Sequence, residues 1–432
     1  MKQLFNKLTI ANYLQFFQIA RYAGLFLSGV ILAKFGVALP IIGQYEFILF
    51  LGGLVSFFWI GGIYQTLLSS YHQAPDKKGL LSKTISSQFF LGIISSVIAV
   101  LYLFIFDKSL NFGYLTITLI GAYLLLNTLT FFNEHYYLIK ENTNKLTLYA
   151  IGNFCIQILA ITIVALTAPN ARNFALAMVA ISLWKTLVLI YNLRFEKINL
   201  RFTPDWPFLK ACSPLIFGLL ISGSADYIDS FLVIHFFGHE SFAIFKYGAK
   251  EFPLSLLLAN SLSLAMVSQI AKKDNQHLAL DELKQQSTRL MNVLFPITWI
   301  FLLCSKFLYP LIFSAAFVQS ASIFNIYLLL IISRMIFPQS VILALKRSDI
   351  ILKTAYWEIA INVISSVILM LKFGIIGIAY GTVVAFLGEK IILTFRLKRL
   401  KIDFQQYTDL KRWFFFSLIT IFIYFFVENF YR

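Results

Sequence analysis

Asp226 and Asp229 stand one helical turn apart in the apolar stretch that runs from Asp226 to Gly238. Residues three apart share a helix face, so the two carboxylates project to the same side. Two desolvated carboxylates raise each other's pKa and can bind a proton or a sodium ion. The pair could therefore respond to an ion gradient, or form a salt bridge to a nearby base; the residues alone leave both open. Other charged residues also fall inside apolar runs. The bases are Arg21, Lys185, Lys250, Lys306, Arg334 and Lys390, and the further acids are Glu358 and Glu389, with Glu134 and His135 near the edge of a run. Charges at membrane depth are costly, so they face a cavity or a partner. The set predicts a polar interior, and its excess of bases over acids leans toward an anionic cargo.

The elements that must position these residues are transmembrane helices. The chain is 59% hydrophobic and 17% aromatic, only 13% charged, with a mean hydropathy of +0.78, whereas soluble domains carry about 25% charged residues. The chain reads as an all-α polytopic membrane protein. Helical spans need about 20 apolar residues. Runs of that kind lie near 12–33, 43–70, 84–106, 112–138, 145–167 and 173–193, then near 211–236, 244–270, 290–314, 320–345, 354–371 and 376–395, with a last one at 413–430. The expected organisation is an N-terminal six-helix bundle (1–193), a basic cytoplasmic connector (194–210), a C-terminal six-helix bundle (211–395), a basic loop (396–412) and an additional helix (413–432), or 12–13 spans in all. The first run contains Arg21 and lacks a small-residue cleavage pattern, so it reads as a retained span. Cys155, Cys212 and Cys304 are isolated in apolar runs, without the spacing of a disulfide framework or a metal site.

The formal charge of +16 is accounted for by topology. With the N-terminus inside, the lysines and arginines of alternate loops outnumber those on the other side about fourfold, the asymmetry of the positive-inside rule. No nucleic-acid partner is needed, and the run at 413–430 would carry the C-terminus outside. The outer loops are short, the longest lying near 34–42. That leaves no extracytoplasmic domain to hold an active site, so the reading is a transporter and not an enzyme.

The halves carry an internal repeat. Phe35-Gly36 is followed by Tyr45, and Phe237-Gly238 by Tyr247, at the same interval, and Ser28 and Ser230 fall at the same offset. An even number of helices separates the copies. The halves therefore share one orientation, a parallel repeat with a pseudo-two-fold axis along the membrane normal. Prolines break the symmetry: Pro214, Pro253, Pro296, Pro310 and Pro338 all lie in or beside second-half spans. Proline removes a helix hydrogen bond and can kink the helix, so Pro214, Pro253, Pro296 and Pro338 are candidates for gating bends as well as static ones.

Asp229-Ser-Phe-Leu-Val-Ile-His-Phe-Phe-Gly238 with Lys246-Tyr247, Gly43-Gln-Tyr45, and Lys372-Phe-Gly374-Ile-Ile-Gly377-Ile-Ala379-Tyr-Gly381 together resemble the lipid-linked oligosaccharide flippases. These are the O-antigen and capsule repeat-unit transporters, the polysaccharide branch of the multidrug/oligosaccharidyl-lipid/polysaccharide exporter superfamily. Ser230 and Phe245 depart from the family's usual arginine and glycine. The resemblance implies a two-bundle, alternating-access flippase in the bacterial inner membrane, with an undecaprenyl-diphosphate-linked oligosaccharide as cargo. Its partners would be that lipid-linked substrate, membrane lipids, and the polymerase, ligase or glycosyltransferases of the same pathway. For such a cargo, Arg21, Lys185, Lys306 and Arg334 are the candidates to bind the diphosphate. Asp226 and Asp229 would be the ion-coupling pair, with Na+ or H+ as the coupling ion and no other cofactor. The rival readings are a multidrug antiporter of the same fold and a membrane-embedded glycan polymerase or ligase.

Overall fold

The computed structural model describes residues 10–198, 203–250, 253–271 and 276–430. They are helical throughout, with no strand among them. Asn142 caps the helix at Thr143 by accepting from the Lys145 amide at 3.1 Å, and Asn170 caps the helix at Ala171 by accepting from the Asn173 amide at 2.9 Å, the usual satisfaction of first-turn N–H groups. Among the described residues, 12 helices are long and apolar enough to cross a membrane, or 13 with one bent pair taken as a span. This is a multi-pass membrane protein. Large apolar side chains in these helices, such as Ile105, Leu148, Leu371 and Phe422, are mostly exposed, as expected where hydrocarbon is the solvent.

The helices pack into two units. The first comprises α1 (Ile10–Lys34), α2 (Leu39–Leu54), α3 (Phe57–Ser70), α4 (Lys77–Leu110), α5 (Tyr114–Ile139), α6 (Thr143–Thr167), α7 (Ala171–Glu196) and α8 (Trp206–Gly223), together with residues 238–240. The bent pair is α2 and α3, which meet at 46°. In this unit α1 packs on α6, α5 on α7 and α3 on α8. Its core holds Trp59, Ile63, Tyr64, Phe132, Tyr137, Leu146 and Cys212. Polar side chains link the helices inside it. Tyr64 donates to Gln88 Oε1 at 2.5 Å, Gln88 donates to the Thr128 carbonyl, and Trp59 Nε1 donates to Ser95 Oγ at 2.9 Å.

The second unit comprises α9 (Ala225–Gly248, apart from 238–240), α10 (Pro253–Ala271), α11 (Gln276–Ile312), a single 3₁₀ turn (Ala315–Phe317), α12 (Val318–Leu328), α13 (Ile331–Arg334), α14 (Pro338–Ala344), α15 (Ser348–Phe373), α16 (Ile375–Arg399), α17 (Phe404–Tyr407) and α18 (Leu410–Phe430). Its tightest pair is the α15–α16 hairpin. It turns at Gly374, where φ is 62°, a left-handed conformation that favours glycine. Beyond the turn, a Cβ at Gly377 would overlap the Leu369 carbonyl, and one at Gly381 would overlap Ser366. The small residues at 374–381 are therefore there to let two backbones approach, as small residues do at transmembrane helix contacts.

Three features depart from the sequence reading. The expected C-terminal bundle begins at 211, but the packing boundary falls after Gly223, because α8 lies against α3. A Cβ at Gly62 would meet Ile216, and Cys212 is part of the first unit's core. Next, the expected runs 211–236 and 244–270 resolve into α8, α9 and α10, with breaks at Ser224, at Gly238 and between Gly248 and Pro253. Gly238 has φ 74°, while Gly36, at the matching position of the repeat, has φ 71°; the repeat recurs as a backbone feature. Lastly, the prolines differ from one another. Pro214 and Pro296 lie inside α8 and α11, whereas Pro253 and Pro338 open α10 and α14. A proline at the first helical position gives up a donor that would have no partner anyway. These two start helices and do not kink them.

Candidate anion and ion sites

Arg21 sits near the middle of α1 and meets two residues of the first unit. Its Nη2 donates to Gln18 Oε1 at 2.6 Å, and its Nη1 lies 3.6 Å from Glu134 Oε2. Arg21 keeps 37% of its side chain exposed, against 8% for Glu134. On α5, the His135 ring stacks on Tyr64 with centroids 3.6 Å apart, and its Nδ1 is 2.9 Å from the Phe131 carbonyl and 3.7 Å from Glu134 Oε1. Lys185, on α7, is half-buried and close enough to Arg21 and Glu134 to feel both charges. Among the described residues its ammonium has no hydrogen-bond or ion-pair partner, though its carbonyl accepts from Asn133 at 3.0 Å. Two cations therefore share one carboxylate, and one cation is uncompensated. Arg21 and Lys185, far apart in sequence, are brought together by α1 and α7; Glu134 was visible in the sequence only as an edge residue.

Lys306 and Arg334 are placed differently. Lys306, on α11, is bound by Glu428 of α18 at 2.9 Å and donates to Ser322 as well. Glu428 also accepts from Ser322 at 3.0 Å and from Asn325 at 2.9 Å. Lys306, expected to bind an anion, has a carboxylate partner here, which α18 supplies and no motif in the sequence marks. Arg334 lies at the end of α13 with its guanidinium 4.8 Å from the Phe386 ring centre, a cation–π distance. Lys390 is buried and pairs with its neighbour Glu389 at 2.9 Å. Arg21 and Lys185 belong to the first unit, and Lys306 and Arg334 to the second.

Asp229 is buried on α9, at 5% exposure. It accepts from Tyr327 of α12 at 2.9 Å and from Thr382 of α16. Ser230, next to it, lies 3.4 Å from Lys246 Nζ. The Asp229 carboxylate is thus held by hydroxyls from two other helices. Neither Tyr327 nor Thr382 was singled out beforehand. Thr382 follows directly on the small-residue stretch ending at Gly381, on α16. Asp226 lies on the same helix, but its side chain is outside the described residues.

No protein-family model matches the chain, and no curated protein matches it. Solved structures do. A lipid II flippase, MurJ, in an inward closed conformation superposes with a TM-score of 0.68 at 19% identity, over 96% of this chain and 92% of that one. The fold is that of the MOP-superfamily transporters. A multidrug resistance MATE family transporter of that superfamily, inward-facing, gives a TM-score of 0.65 at 14% identity over 87% of this chain and 95% of that one. Another MOP-superfamily transporter, from Pyrococcus furiosus, whose binding pocket is described as having reverse polarity, gives 0.55 at 14% identity over 89% and 92%. Within this fold, two of the polar clusters among the described residues bear on the candidate sites: the first-unit cluster around Arg21 and Lys185 and the second-unit cluster around Asp229.

Proposed function

We propose that this chain is a flippase that carries an undecaprenyl-diphosphate-linked oligosaccharide across the bacterial inner membrane by alternating access, in the making of O-antigen, capsule or exopolysaccharide. The observation that carries this reading is Lys185: a half-buried ammonium beside Arg21, with no partner of its own among the described residues. A cation held in an apolar bundle without a counter-ion is costly, and a diphosphate supplies the missing charge by charge-assisted hydrogen bonds. Arg21 offers a planar fork suited to phosphate, and Lys185 a point charge. A cationic drug would be repelled from the same place, which weighs against the multidrug-antiporter alternative for this cluster.

Asp229, assisted by Asp226, is the proposed coupling site for Na+ or H+. The hydroxyls of Tyr327 and Thr382 are hard oxygen donors around one carboxylate, a setting that suits either ion. Uptake of the ion would favour one conformational state over the other, and the gradient would then bias the cycle. The deciding experiment reconstitutes the purified protein in vesicles with a fluorescent undecaprenyl-diphosphate glycan. Flipping should be measurable in the wild type and lost in the Arg21→Ala, Lys185→Ala double variant at equal protein level. Equal flipping by both proteins, or efflux of cationic dyes with no lipid flipping, would sink the reading.

A further inference from the structure

Glu134 is held unusually loosely for a buried carboxylate. Its side chain is 8% exposed, yet its nearest cation, Arg21 Nη1, is 3.6 Å away, and among the described residues it accepts no hydrogen bond. Buried carboxylates are ordinarily secured by several donors, and an ion pair at this distance, without hydrogen bonds, recovers little of the desolvation cost. Its other neighbour, His135, is already engaged. The His135 Nδ1 faces the Phe131 carbonyl at 2.9 Å and the ring stacks on Tyr64. Arg21, meanwhile, commits one nitrogen to Gln18 at 2.6 Å and remains partly exposed.

We propose that Glu134 is a built-in competitor for the anion site: its carboxylate stands at Arg21 in place of the cargo's diphosphate and is displaced when the diphosphate arrives. This rests on the reading of Arg21 and Lys185 as the anion site. Charge counting explains the device. With Glu134 ionised, Arg21 and Lys185 together leave one positive charge unmatched. A diphosphate brings at least two negative charges, so it over-compensates the site unless the carboxylate gives way. A site with both cations bare would hold its anion tightly and release it slowly. A carboxylate poised on α5 to return to Arg21 weakens the bound state and speeds release. The loose geometry is what such exchange requires, since a carboxylate locked by hydrogen bonds could not be displaced.

The test measures affinity in the full-length protein in detergent, by calorimetric titration with farnesyl diphosphate and, separately, with inorganic pyrophosphate. Glu134→Gln should tighten farnesyl diphosphate binding about tenfold, and Glu134→Asp, with its carboxylate drawn back from Arg21, about threefold. Both gains should vanish when Arg21→Ala is added. Tightening of both probes identifies the diphosphate itself as the competing group; tightening of farnesyl diphosphate alone places the exchange at the lipid form. If binding needs Arg21 but is unchanged or weakened in folded Glu134→Gln and Glu134→Asp, the competitor role is wrong and the anion site stands. If neither the wild type nor any variant binds either probe, both fail together. Glu134→Asp keeps the charge and nearly the volume, so it decides the matter should Glu134→Gln not fold.

Discussion

Lys185 and Lys306 are the same residue type in comparable apolar helices, but their surroundings give them opposite roles. Lys306 is paired with Glu428 at 2.9 Å and flanked by Ser322 and Asn325. Removing one member of a buried ion pair leaves an uncompensated charge and costs roughly 3 kcal/mol or more. Lys306→Met should therefore lower the thermal-unfolding midpoint markedly, and Lys306→Met with Glu428→Gln should recover most of the loss. Lys185→Met removes a charge that has no such partner. It should leave thermal stability unchanged or raise it while abolishing lipid flipping. A stability loss equal to that of Lys306→Met would show that Lys185 is structural after all. Asp229→Asn makes a third contrast at this scale. It keeps the shape that Tyr327 and Thr382 hold but removes the charge, so the variant should bind cargo while flipping without response to imposed pH or sodium gradients, as read in vesicles.

At the scale of elements, glycine positions separate strain from clash. Gly238 has φ 74° and ψ −170° and nothing within 4 Å of an added Cβ, so Gly238→Ala meets no clash, only the backbone penalty of a region kept almost to glycine, roughly 1–3 kcal/mol. Gly377→Leu instead drives a side chain into the Leu369 carbonyl across the α15–α16 contact. Overpacking of this kind forces the backbones apart. Detergent-extracted protein should stay monodisperse for Gly238→Ala and aggregate for Gly377→Leu. The last helix, α18, is bound to the second unit along one face: Thr420 accepts from Trp299 Nε1 at 2.8 Å, Tyr424 meets Tyr380 at 2.5 Å, and Glu428 holds Lys306. Its other faces are phenylalanine-rich and exposed, which suits contact with lipid. Truncation before Leu410 removes all three ties and should thus destabilise the protein more than Lys306→Met does, as read by the thermal-unfolding midpoint.

For the molecule as a whole, the loop charges predict an orientation. With the N-terminus cytoplasmic, fluorescent-protein fusions after Lys78 and Lys401 should fluoresce, and alkaline phosphatase fused after Gly374 or Arg432 should be active. Phosphatase activity at Lys78 with none at Gly374 would invert the topology.

Sequence alone determined those properties that depend on local composition. Apolar run length set the spans and the membrane class, because a helix must satisfy its own backbone in hydrocarbon whatever packs beside it. The common interval from Gly36 to Tyr45 and from Gly238 to Tyr247 marked a repeat that the backbone keeps, since a positive φ is a property of one residue. Tertiary structure decided which charges face one another. Lys306 and Glu428 are distant in the chain and meet only because α18 docks on α11. Thr382 reaches Asp229 only because the helices α9 and α16 lie together, and α8 joins the first unit because Gly62 lets it approach α3. Whether a buried charge is neutralised or left open depends on partners brought from other helices, and no spacing within one helix encodes that.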